Sequence, residues 1–320
     1  MNNSIIERLL KSEEPSIRFK VLTQVLGRDL YSTDVMKAQD EIRSSERVKL
    51  LLSEKGKDGR IPGHPYKKWT GAHWVLSILA EIGYPSGDRG LIPMREQVTS
   101  WLFSKWHEKS IKTIDGRVRR CASQEGNALY SMLKLGIADE GADMLAGRLI
   151  KWQWPDGGWN CDKNPKAVNS SFHETLYPMR SLSLYARLSG NMRARDSVHR
   201  ASEVFLKRHL YKRQSDGSVI DDDFTRLHYP SFWHYDILAG LKVMAEAGFI
   251  GDERCKDALD LLESKRLDDG GFPAEARYYG GANLKSQRSL VKWGRVSKKR
   301  MNEFVTVDAL FVLKRAGRLK

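Results

Sequence analysis

The sequence predicts an all-α protein assembled from repeated helix pairs, and three observations carry that prediction. Asp-Gly occurs five times, at Asp58-Gly59, Asp115-Gly116, Asp156-Gly157, Asp216-Gly217 and Asp269-Gly270, each time between two helix-like stretches. The intervals of 57, 41, 60 and 53 residues are too regular for chance turns and too long for short solenoid repeats, so each unit has room for two helices and a variable loop. The stretches alternate between charged and apolar, and strand signals are nearly absent.

Residues 4–26 read as two short amphipathic helices, the second opening at Pro15, a residue tolerated in a first turn and disfavoured inside a helix. Together with the rest of residues 1–50 they form an N-terminal helical cap on the first repeat. In the first unit an apolar helix runs from about Ala72 through Val75, Leu76, Leu79 and Ile82, and stops at Gly83 before Pro85. The third unit repeats this with Phe172, Leu176, Met179 and Leu182, ending near Gly190. Trp233, Ile237, Leu241 and Met244 lead to Gly248 in the fourth, and Val305, Ala309, Phe311 and Val312 to Gly317 in the fifth. The stretches ahead of the turns, residues 95–108, 140–153, 195–213 and 252–265, carry more charge and belong to an outer layer. Helix pairs of this kind bury their apolar faces best by curving into a closed ring or a superhelix, as one domain over residues 1–320.

At 41% hydrophobic content the chain can bury a large core. No stretch approaches the roughly 18 apolar residues of a membrane span, and the first ten residues lack both a basic and an apolar leader region, so the expected location is the cytoplasm. Three widely spaced cysteines, Cys121, Cys161 and Cys255, argue for free thiols in a reducing compartment. The net charge of +14 points to an anionic partner. Residues 280–302 concentrate it, with seven Lys or Arg and no acid, as a solvated basic loop or a surface for something negative.

Residues 149–159 read L-I-K-W-Q-W-P-D-G-G-W, in which Gln153, Gly157 and Trp159 satisfy a Q-x3-G-x-W pattern, and Asp269-Gly270-Gly271-Phe272 gives a looser D-G-G-F form. On these motifs residues 50–320 resemble the terpenoid cyclase and protein prenyltransferase superfamily, whose repeats carry them. The resemblance implies an α/α toroid, a closed ring of about five to six helical hairpins with inner and outer layers. It also implies an enzyme acting in a central cavity on an isoprenoid or another apolar substrate with an anionic head. The superfamily's acid motif D-x-D-D has only Asp221-Asp222-Asp223-Phe224 as a counterpart, read as a solvated acidic turn, and its D-D-x-x-D motif is absent.

Aligning the apolar-helix starts places His73, His173 and His234 in one repeat position, with Asn127 and Thr306 as equivalents in the other two units. Three imidazoles on one rim of a ring, with Asp236 close by, are the candidate catalytic groups. In prenyltransferases a zinc ion is held at this rim, and Phe232-Trp233-His234-Tyr235-Asp236 is similar to one of the ligand contexts. By that resemblance His73, His173 and His234, completed by Cys161, Asp162 or Asp236, would hold zinc, with Cys161, His173 and His234 the central set. Without metal the same histidines serve as acid, base or hydrogen-bond donors, or hold loops together. Arg119, Arg120, Arg226, His228 and Tyr229 lie in loops ahead of apolar helices, suited to an anionic head, and Trp74 and Trp233 to an apolar body. The alternative is a non-catalytic scaffold with a basic surface for an acidic protein or nucleic acid; no nucleic-acid motif is present.

Overall fold

The computed structural model describes residues 2–280 and 288–319. It is mostly helical. The N-terminal helices α1 (Asn2–Leu10) and α2 (Pro15–Lys20) fall where the sequence placed them, and α2 continues through a wider turn, Val21–Val25, before α3 (Thr33–Ser44) and α4 (Glu46–Leu51). There follow α5 (Ala72–Glu81), α6 (Ile92–Leu102) and α7 (Lys105–Ser110), then the strands β1 (Lys112–Ile114) and β2 (Arg117–Arg119). The remainder is α8 (Ala122–Lys134), α9 (Glu140–Trp152), α10 (Phe172–Ser189), α11 (Met192–Leu206), α12 (Ile237–Ala247), α13 (Lys256–Ser264) and α14 (Glu303–Arg315). Among the described residues no helix is long and apolar enough to cross a membrane.

Glycine in all five Asp-Gly pairs has positive φ. In the first, third and fifth turns the glycine N–H donates to the carbonyl three residues back, whose own N–H donates to the carbonyl just after the glycine, as at Gly157→Trp154 (3.0 Å) and Trp154→Gly158 (2.8 Å). The fourth differs by one residue, Gly217 donating to Arg213. Gly157 admits no side chain, because at φ +103° a Cβ would stand 2.2 Å from the Arg200 carbonyl oxygen. Gln153 anchors the same turn to the next helix: its Nε2 donates to the Gly157 carbonyl (2.6 Å) and to the Ser197 carbonyl (2.8 Å).

Several expectations need correction. Asp115-Gly116 joins a β-hairpin, with both residues at positive φ (49° and 70°), the backbone a two-residue hairpin turn requires. The fourth apolar helix starts at Ile237 instead of Trp233, because Asp236 takes the cap position and its Oδ1 accepts from Ala239 N at 2.7 Å. Residues 95–108 split in two where the Ser104 hydroxyl caps α7, accepting from His107 N. Of the basic segment 280–302, residues 281–287 lie outside the described residues. The rest is anchored by buried Trp293, whose carbonyl accepts from Asn302 Nδ2 at 2.7 Å, while the basic side chains from Lys292 to Arg300 stay exposed.

Helix α5 packs on α8, α8 on α10, α10 on α12, and α12 on α14, which meets the turn after α2. Gly83, at the end of α5, lies against the Phe19 ring of α2. Where these six elements meet, the interior is charged. Lys20 Nζ reaches Asp308 (3.1 Å) and Glu81 (3.2 Å), Lys242 Nζ reaches Asp308 (2.9 Å) and also Glu81, and Arg180 bonds Glu81 (2.9 Å) and Glu246 (2.6 Å). The Arg180 guanidinium lies 4.0 Å over the Tyr130 ring of α8. Three cations and three carboxylates balance, as buried charges must. One cavity among them, beside Glu81, Lys242 and Asp308, is about 30 Å³, the scale of one or two waters. A second, of about 300 Å³, is bounded by Tyr130, Arg180, Glu246 and Phe311.

Candidate functional site

The starts of α8 and α10 and one loop converge on a single cluster. Cys121 stands immediately ahead of α8, Glu174 is the third residue of α10, and Cys161 follows the Asp156-Gly157 turn. One ligand atom from each lies within 4.8 Å of the others. Glu174 Oε2 accepts from Ser123 N at 2.9 Å, and the Cys161 thiol donates to Oε1 at 3.5 Å. Burial, with Glu125 nearby, raises the Glu174 carboxyl above its ordinary range. The Cys161 thiol is raised by its hydrogen bond with Cys121, then by burial and by Glu174. Two thiols and a buried carboxylate in contact suit a divalent cation of borderline softness, whose charge would offset the cost of ionising all three.

The surroundings are aromatic and basic. Lys68 Nζ lies 5.4 Å over the Trp69 ring and 5.0 Å over Trp233; burial lowers its pKa, and Cys121 opposes that shift. Tyr66, hydrogen-bonded to Gln124 and close to Cys121 and Arg120, has its phenol raised by burial. Buried His107 and Glu125 pair at 2.8 Å behind the cluster.

The predicted site residues separate into groups. His173 and His234 meet, with ring centroids 6.5 Å apart, and His234 is sandwiched between Trp233 (3.9 Å) and Tyr278 (3.8 Å). Burial lowers both, His234 to about 3, with neighbouring His228 and His173 adding to it. His73 stands apart in a box of Tyr66, Trp74 and Trp101 rings, 1% exposed, with neither ring nitrogen bonded and its pKa lowered to about 3 by burial. The metal set Cys161, His173 and His234 is therefore corrected: Cys161 joins Cys121 and Glu174, and the imidazoles stack on aromatics.

Asp236 accepts from His228 N at 2.9 Å and lies 2.7 Å from His228 Nδ1, making a buried dyad whose Nε2 has no partner among the described residues. Arg119 is 1% exposed and braces the Cys161 loop, donating to the Asp162 (3.1 Å) and Ala167 (2.8 Å) carbonyls, so it is unavailable to a ligand. Arg120 is held by Gln124 (2.6 Å), Ser110 (3.2 Å) and the His107 ring at the edge of the cluster. Arg226 pairs with Asp223 at 2.8 Å on the surface. Tyr229 stacks on Phe304 and Trp74 is fully buried; both are core. Sequence reasoning missed Cys121, Glu174 and Lys68, although Cys121 and Glu174 lie at inner-helix starts, the positions that the histidine register had marked. The arrangement defines a mostly helical protein with a dithiol–carboxylate cluster under an aromatic, cationic rim. No protein-family model matches the chain, and no curated protein matches it.

Proposed function

We propose that the protein is an enzyme of the terpenoid cyclase and prenyltransferase type, an α/α toroid with zinc held at its rim by Cys121, Cys161 and Glu174. The convergence of these three side chains carries the reading. The ring is supported by the neighbour order of α2, α5, α8, α10, α12 and α14 around one charged centre. Three protein ligands leave a fourth position open, and zinc bound so lowers the pKa of a coordinated thiol or water. The chain's own residues do the remaining work. Lys68 and Arg120 meet an anionic head, Trp69, Trp233 and Tyr278 support an apolar body, and Tyr66 offers a neutral hydroxyl as donor. The central cavities hold about 30 Å³ and about 300 Å³, so a compact anionic molecule with a short apolar part fits better than a full-length isoprenoid.

Elemental mass spectrometry of untagged protein tests this, with Cys161→Ser and Glu174→Gln beside the His173→Ala/His234→Ala double variant. About one zinc per chain, lost in the first two and retained in the third, is the expected result. Absence of metal from wild type purified without chelators overturns the zinc assignment. The small size of the central cavities also favours a second reading, a scaffold that kept the ring without the reaction, and metal-free wild type would move weight to it.

A further inference from the structure

We propose that the cleft beside the Asp216-Gly217 turn binds a phosphorylated small molecule. The cleft encloses about 460 Å³ between the start of α10 and the chain leaving α11. That is within the size of small-ligand pockets, roughly 300–1,000 Å³. It is lined by Arg208, Arg213, Ser171, Ser215 and Gln214, with Phe172 and Phe224 stacked 5.3 Å apart. No carboxylate residue is among its walls.

Neither arginine is hydrogen-bonded to an acid among the described residues. Some arginines of the chain are, as Arg8 is to Asp269, Arg18 to Glu41 and Arg254 to Glu203, while others, such as Arg119 and Arg200, bond only neutral acceptors. Arg208 bonds only the Val204 carbonyl (3.0 Å), and Arg213 only Ser218 Oγ (3.3 Å) and the Ile220 carbonyl (3.1 Å), leaving donors on both forks unused. The nearest acid in sequence, Asp216, spends Oδ1 on Ser218 N (2.9 Å) and Oγ (2.7 Å), and Asp221 caps its own turn through Asp223 N (2.9 Å). Two planar forks with free donors, beside hydroxyls and an amide, match the three oxygens of a phosphate monoester. The half-buried His173 on the wall adds a ring nitrogen, and the stacked phenyl rings accept a short apolar body. Cys121, Cys161 and Glu174 do not line the cleft, so this site stands independently of the metal reading.

The test is calorimetric titration of the whole chain with inorganic pyrophosphate at physiological salt, with and without prior chelation. The comparison is between wild type, Arg208→Gln/Arg213→Gln, and Lys105→Gln/Lys109→Gln, which removes the same charge from an exposed site elsewhere. Saturable binding in wild type, unchanged by chelation, weakened at least tenfold in the arginine variant and unaltered in the lysine variant, is expected. Circular dichroism of the arginine variant must match wild type; if it does not, Ser215→Glu, which places a carboxylate in the same cleft, gives the second reading and should weaken binding equally. Equal weakening by the lysine pair would reduce the effect to general attraction by a +14 chain and overturn the proposal. So would the absence of saturable binding, or binding of oligonucleotides alone with steep salt dependence.

Discussion

Glu81→Gln tests how the inner helices are held together. Glu81 ends α5 and takes contacts from Lys20, Arg180 and Lys242, which belong to three other helices. The substitution leaves those three cations facing only Asp308 and Glu246. Removing one partner from a buried ion pair costs about 3–5 kcal/mol, because the other charge remains desolvated. With unfolding entropy of about 2.1 cal/mol/K per residue, a chain of 320 residues has roughly 0.67 kcal/mol/K in total, so that loss lowers Tm by about 4–8 °C. Lys242→Met in the same background removes a stranded cation, and the double variant should recover part of the loss, with a coupling of about 1 kcal/mol or more in a double-mutant cycle followed by circular dichroism. Acid should reveal the same carboxylate. Burial alone would raise the Glu81 carboxyl, but Lys242, Arg180 and Lys20 outweigh it and hold it well below 4.5. A carboxyl depressed on folding stabilises above its unfolded pKa, and that stability is lost as pH falls through the folded value. Wild type should therefore weaken below about pH 4.5, and Glu81→Gln less so. A Tm shift under about 1 °C, or additive single variants, would refute the claim that this cluster is a coupled centre.

His73, lowered to about 3 by burial, stays neutral in the fold while the unfolded chain takes up a proton near pH 6.5. Stability should be complete above pH 6.5 and fall below it by up to about 1.4 kcal/mol per pH unit, and His73→Phe should flatten that fall in a scan of Tm from pH 7 to about 5. Gly157→Ala should cost more than Gly217→Ala in denaturant unfolding: both pay about 1–2 kcal/mol for a left-handed backbone, but only the first drives a methyl onto a carbonyl oxygen, the Gly217 site being open. Arg119→Ala leaves every proposed ligand in place but frees the Cys161 loop, and should lower zinc affinity by about 10- to 100-fold in a competition titration; unchanged affinity would mean that the loop is held by other contacts.

The helices were legible where their signals are local. Apolar periodicity and a terminal glycine located α5, α10 and α14, because those features act within the helix itself. The hairpin at Asp115-Gly116 was lost because the repeat made five equal dipeptides look like five equal turns, whereas the flanking residues decide whether an Asp-Gly pair joins strands or ends a helical unit. The charged centre was invisible. Lys20, Glu81, Arg180, Lys242, Glu246 and Asp308 are scattered over 289 positions, counting from 20 to 308, and each reads alone as a polar interruption of an apolar face. Only the meeting of the five helices that carry them turns them into a neutral cluster.

The site was half legible for a reason in helix geometry. Cys121 and Glu174 lie at the starts of α8 and α10, where side chains of two helices meet, and His173 is the residue before Glu174. Successive residues on a helix point about 100° apart, however, so the neighbour of a marked residue faces a different wall. His173 turns toward Phe224, Trp233 and His234, while Glu174 turns toward α8 and meets Ser123, Cys121 and Cys161. One residue along the start of α10 is thus enough to exchange an aromatic-stacked imidazole for a carboxylate that accepts from a thiol. The two faces of the α10 start also explain why the chain can carry two separate sites: the Glu174 face closes on the dithiol cluster, and the His173 face opens on the arginine-lined cleft.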